Sequence, residues 1–115
     1  MNVRNLESEV VKKRWYRAHG GGLATMLFDS NELQGILFFA FAALEPDKVL
    51  EAHIDPYEEI YYILQGGALM KVGDDEQQVT AGDAIWLPHG ISHGMVNNTK
   101  EDCIVLVSAA MPRED

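Results

Sequence analysis

The sequence predicts an all-β protein, a single sandwich or barrel, and two observations lead there. Short apolar or alternating segments recur along the chain, each bounded by residues that favour turns. At 115 residues the chain has room for one domain and one core, with no internal repeat, low-complexity tract or linker. A chain of this size buries only about two thirds of its unfolded surface, so a barrel without open edges, or a dimer, would serve it.

Taken in order, residues 6–17 are the only stretch that could support a helix. Leu6, Val10, Val11 and Trp15 have roughly helical spacing, although the second half reads equally well as a strand. Strands are expected over residues 23–28, 34–43, 49–54, 58–64, 68–72, 77–79, 84–87, 92–97 and 103–108. The breaks carry turn chemistry: Asp29-Ser30-Asn31, Glu45-Pro46-Asp47, Asp55-Pro56 and Gln65-Gly66-Gly67 in the first half, then Gly73-Asp74-Asp75, Ala81-Gly82-Asp83, Pro88-His89-Gly90 and Asn97-Asn98-Thr99. The organisation expected is one domain over 1–115, an N-terminal arm over 1–20 and the barrel over 21–110.

Charge narrows the partners. The formal net charge is −9, and five of the nine basic residues (Arg4, Lys12, Lys13, Arg14, Arg17) lie in the first 17 positions. The rest of the chain is strongly acidic and would repel phosphate backbones and anionic lipid, so neither nucleic acid nor a membrane is an expected partner. The basic cluster reads as a solvated segment interleaved with Glu7 and Glu9. The longest apolar run, residues 36–44, is far below the roughly 20 residues that span a bilayer. No apolar targeting segment follows Met1, and the lone Cys103 cannot form an internal disulfide, so a reducing, cytoplasmic location is expected.

Metal-capable side chains fall in two clusters. In the first, His53 and Asp55 sit two apart and share a strand face, and Glu59 opens a strand on which Tyr61 and Ile63 share its face. A carboxylate facing a barrel interior must be paired, hydrogen-bonded or bound to a metal. In the second, an apolar strand runs into Pro88-His89-Gly90 and emerges at His93. Two histidines with one or two carboxylates suit Fe(II), Mn(II), Ni(II) or Zn(II). Asp55 reads two ways, as a fourth ligand or as a turn starter before Pro56.

These residues resemble the two motifs of the cupin superfamily, G-x5-H-x-H-x3,4-E-x6-G and G-x5-P-x-G-x2-H-x3-N. The second is met at every fixed position by Gly82, Pro88, Gly90, His93 and Asn97. The first is met at His53, Glu59 and Gly66 with both gaps correct. It departs at its leading glycine, where Pro46-Asp47 stands, and at its second histidine, where Asp55 stands. The resemblance implies a double-stranded β-helix, or jelly-roll barrel, of the RmlC-like kind, with one divalent metal ion per chain. It also implies a homodimer in which N-terminal strands cross to the neighbour, with Trp15 and Tyr16 as anchors.

The function expected is a metal-dependent enzyme acting on a compact oxygenated small molecule, by isomerase, lyase or dioxygenase chemistry. Glu59 or Asp55, whichever is not tightly bound, is the candidate base, and Tyr61 a candidate proton donor. The alternative is a non-catalytic metal-containing module that binds or senses a small molecule; a purely structural barrel would leave the four polar residues unexplained. Tyr61, Trp86, Met95, Phe39 and Phe41 have the character of pocket lining. His19 and His89 read as surface residues, His19-Gly20-Gly21-Gly22 as a flexible loop, Asn97 as a turn-fixing residue and Cys103 as a buried core thiol.

Overall fold

The strands obey the alternation the sequence carries. In the computed structural model, which describes residues 1–113, ten antiparallel strands and one helical turn form two sheets packed face to face. The strands are β1 (Tyr16–Ala18), β2 (Gly22–Phe28), β3 (Phe38–Leu44), β4 (Val49–His53) and β5 (Glu58–Gln65), followed by β6 (Gly67–Val72), β7 (Asp75–Thr80), β8 (Ala84–Leu87), β9 (His93–Val96) and β10 (Cys103–Ala110). One sheet has the order β1-β2-β3-β10-β5-β8 and the other β4-β9-β6-β7, which is a jelly roll.

β10 lies between β3 and β5 and organises the larger sheet. Its residues Cys103, Val105, Val107 and Ala109 point inward, and Glu59, Tyr61 and Ile63 do the same from β5. Ile63, Leu87, Val105 and Cys103 are fully enclosed, and each large aliphatic side chain buried in this way contributes about 1.5–3 kcal/mol. Burial pushes the Cys103 thiol up to about 11, so it stays protonated and inert, as expected of a core thiol.

Three expectations need correction. Residues 34–37 do not extend β3; they form bends, and the chain rejoins the sheet where the Leu37 amide donates to Ala109 O. Asp75 belongs to β7 rather than to the preceding turn. The helical reading of 6–17 holds only for α1 (Glu9–Lys12), capped by Ser8 Oγ, which accepts from the Val11 amide; β1 then follows in the second half.

The basic arm is also less solvated than expected. Val11 is buried and its carbonyl accepts from Thr25 Oγ1, Arg4 and Arg14 both pair with Glu32, and the Trp15 ring stands edge-on to Phe41 at 6.0 Å. Two positive groups and an apolar side chain thus hold the arm to the outer face of its own sheet.

Two motif residues have structural roles. Gly66 has φ +74°, and a Cβ there would lie 2.4 Å from Asp102 O, so only glycine lets β5 turn into β6 beside that carbonyl. Asn97 is fully buried and ties three segments together. Its Nδ2 donates to Leu44 O at 2.7 Å and Glu101 O at 2.8 Å, while Oδ1 accepts from Thr99 N and Thr99 Oγ1. Asn97→Ala would leave two carbonyls and an amide without these partners. It is expected to destabilise the fold by about 2–4 kcal/mol in chemical denaturation. A loss below about 0.5 kcal/mol would show that water replaces the side chain at little cost.

Candidate metal centre

The site forms where β4 ends and β9 begins. A register shift between Leu50 and His53 sets His53 directly opposite His93 on the neighbouring strand, with ring centroids 4.3 Å apart. Glu59 reaches the same point from the other sheet, as the second residue of β5. Asp55 sits in the β4–β5 connection, where its carbonyl accepts from the Gly90 amide at 2.9 Å. The Pro88-His89-Gly90 turn of one motif therefore holds the backbone of the other.

One ligand atom from each of His53, Asp55, Glu59 and His93 lies within 4.8 Å of the other three. Asp55 Oδ2 is 3.2 Å from His53 Nε2 and 3.7 Å from His93 Nε2, and Glu59 Oε1 is 3.4 Å from His93 Nε2. The structure thus brings together all four residues expected from the sequence, with the Asp55 side chain turned into the cluster. His53 Nδ1 lies 2.9 Å from Glu51 O, so that nitrogen carries the proton and Nε2 presents its lone pair to the cluster.

The donor set fits a divalent cation. His93 is 2% exposed and Glu59 5%. Among the described residues, Glu59 Oε1 and both ring nitrogens of His93 lack a hydrogen-bond partner, and each such orphan costs about 1–3 kcal/mol. A cation among the four donors would satisfy His93 Nε2 and Glu59 Oε1 together. Two neutral imidazoles and two carboxylates would also balance its charge. Burial raises the Glu59 carboxyl above its ordinary range, against the pull of His93, so a proton and a metal compete there.

Tyr61 lies one strand period beyond Glu59 on the same face, its ring edge-on to His93 at 6.0 Å. Burial, and then the Glu59 charge, push its hydroxyl well above the usual phenol range, so it remains a hydrogen-bond donor. Met95 lines the same cavity, whereas Trp86 is 62% exposed on the outer face of β8. Phe39 and Phe41 also point outward; the inward positions of β3 are Phe38, Ala40, Ala42 and Leu44. The shared face of the two phenylalanines was legible, but it is the opposite face from the pocket.

His19 is exposed, as expected, but sequence reasoning missed its place beside the site. The His19–Gly22 run is no loose loop: His19 has φ +47°, its carbonyl accepts from the Glu51 amide, and Gly20 bridges Leu50. This places the His19 ring flat on His53, centroids 3.4 Å apart at 6°. Burial, and then His53, hold His19 towards its neutral form. The signal available was the glycine run after His19, which permits close approach of one backbone to another. Tyr57 and Tyr16 also line the site, their hydroxyls raised first by burial and then by the carboxylates. His89 is exposed, as expected.

Comparison with known proteins places this geometry. A protein of Methanocaldococcus jannaschii described as uncharacterised is 28% identical over 100 residues, covering 84% of this chain and 79% of its own. A Thermotoga maritima structure described as a predicted oxalate decarboxylase superposes with TM-score 0.67 at 25% identity, over 80% of this chain and 85% of its own. The polyketide cyclase RemF of Streptomyces resistomycificus superposes with TM-score 0.71 at 22% identity, over 86% and 72%, a likeness of fold. The Cupin domain family matches residues 40–109, which contain both motifs and all four metal-capable donors, and the chain belongs to that family.

Proposed function

We propose that this cupin is a metal-dependent enzyme acting on a compact oxygenated substrate such as an α-hydroxy acid, an α-keto acid or a dicarbonyl. The observation that carries this reading is the buried convergence of His53, Asp55, Glu59 and His93 on one point, with donor atoms left unsatisfied by the protein. The Thermotoga neighbour's description as an oxalate decarboxylase belongs to the same substrate chemistry. A divalent ion such as Fe, Mn, Ni or Zn, bound there, supplies Lewis acidity for isomerase or lyase chemistry, or oxygen chemistry when it is iron or manganese.

The chain's own groups divide the remaining work. Tyr61, held protonated, donates to negative charge that develops on a substrate oxygen. Asp55 has a side chain 14% exposed against 6% for Glu59, and it stands at the mouth of the site. It is the carboxylate better placed to take a proton from substrate and pass it to solvent, while Glu59 serves as the fixed ligand. The apolar interior excludes water from the inner side of the centre, while the exposed His19 ring covers His53 on the outer side.

The same reading includes a second copy of the chain. Alternation on β5 leaves Ile60, Tyr62 and Leu64 exposed in a row, with Trp86 beside them on β8. The strip is apolar except at its end, where the Glu58 carboxylate accepts from Trp86 Nε1 at 3.0 Å, so on a chain of net charge −9 it is a surface where two copies can meet with few like charges facing each other. Within the chain β1 pairs with β2, and the strip is the surface proposed for the partner. Tyr62→Glu is expected to convert a dimer into a monomer in size-exclusion chromatography with light scattering. A wild-type chain that is monomeric at every concentration would reject the dimer.

Elemental analysis of untagged protein purified without chelator is expected to find near-stoichiometric metal that is lost in His93→Ala. Asp55→Asn is expected to retain metal at reduced affinity. Wild-type protein that carries no metal and takes up none would refute the enzyme reading and leave a binding module. Glu59→Gln tests the cost of the site. The folded, metal-free chain binds the Glu59 proton more tightly than the unfolded chain, so its stability falls as pH rises through the raised value. Metal-free Glu59→Gln is therefore expected to be more stable than wild type at pH 8, with a higher Tm, and to lose this advantage near pH 4. Equal pH dependence in the two proteins would show that the carboxylate is not destabilised by burial.

A further inference from the structure

We infer that the substrate of this site carries a short aliphatic tail behind its oxygenated head, and that alanines on β2 and β3 set the length of that tail. The inference rests on the metal-centred reading of the donor cluster and extends it to the far side of the same cavity. That cavity has a volume of about 100 Å³ and runs from His53, Asp55 and Glu59 into the space between the sheets.

Behind the donors the cavity has no further charged group among its lining residues. Its walls there are Met95 from the smaller sheet, Val105 and Val107 from β10, and Ala24, Ala40 and Ala42 from β2 and β3. The alanines are the feature that matters. On β3 the inward positions read Phe38, Ala40, Ala42, Leu44, so two methyl groups sit between two large side chains. The register sets Ala24 directly beside Ala42, which makes the shortfall in volume continuous across both strands. Phe39 and Phe41, which could have filled this space, point out of the sandwich. Protein interiors are otherwise packed to near-crystalline density, so a gap of this size beside a reactive centre is shaped to admit an atom group.

Size and chemistry then define the group. An apolar cavity of about 150 Å³ accepts a benzene ring, so roughly 100 Å³ accepts about four non-hydrogen atoms, and the head group at the donors takes part of that space. The cavity is also lined by Tyr16, Tyr57, Tyr61 and His19, but a polar tail directed at the alanine, valine and methionine walls would find no partner there. The ligand class is therefore a carboxylate or oxo acid whose oxygens face the four donors and whose tail of about one or two carbons enters the alanine-walled chamber.

The test uses straight-chain carboxylates, acetate to heptanoate, titrated by calorimetry into Zn(II)-loaded protein and into metal-free protein. Affinity for the loaded protein is expected to rise about threefold to fourfold from acetate to propanoate, and then to fall with longer chains. Ala40→Leu is expected to move the optimum to acetate with zinc content unchanged, and Ala24→Val to do the same more weakly should Ala40→Leu not fold. Affinity independent of chain length, or an optimum that neither variant moves, would overturn the tail chamber. The same chain-length optimum with equal affinity in metal-free protein would uphold the chamber while refuting the metal as the anchor of the head group.

Discussion

The pairing of His53 with His93 across β4 and β9 is the constraint on which the site depends. Strand neighbours hold two side chains at a separation fixed by the ladder, so neither histidine can leave the centre without breaking the sheet. The register shift before His53 is what aligns them, and the small sheet is then required to pack on the large one at the height of Glu59. The Gly90 amide adds the last link, since its bond to Asp55 O carries the Pro88–Gly90 turn into the β4–β5 connection.

Stability and function divide the interior between them. Ile63, Leu87 and Cys103 build a tightly packed region in which every side chain is enclosed by apolar neighbours. The region around the donors is built differently. It holds a buried carboxylate with a raised pKa, orphan donor atoms on His93, and a void walled by alanines. Each is unfavourable to the metal-free chain, and together they describe a centre whose strain a cation and a ligand would relieve.

The cupin relatives share the frame more than the chemistry. Superposition over most of both chains at 22–25% identity reflects the jelly roll and the strand ends that carry the motifs. Asp55 marks where this chain departs, since it replaces a neutral imidazole by a short anion at the first metal-facing position after His53. Two carboxylates rather than one would bring a divalent centre to neutrality. His19, stacked on His53, adds a third imidazole beside the centre from a part of the chain outside both motifs.

Local chemistry determined much of this protein. Period-2 alternation set the strands, turn residues set most of their ends, and motif spacing identified the four donors, because each of these signals is complete within a few neighbouring residues. Tertiary structure decided what such signals leave open. Alternation shows that Phe39 and Phe41 share a face, but pairing with β2 and β10 decides that Ala40 and Ala42 face inward. Residues 34–37 lead directly into the apolar run of β3, yet they form bends and rejoin the sheet only where the Leu37 amide donates to Ala109 O. His19 lies 34 positions from His53 in sequence, and only the β1–β2 turn folding back on β4 brings the rings into contact. The donors were legible because their spacing is local, whereas the cavity, the stacked histidine and the tail chamber arise from contacts between residues far apart in the chain.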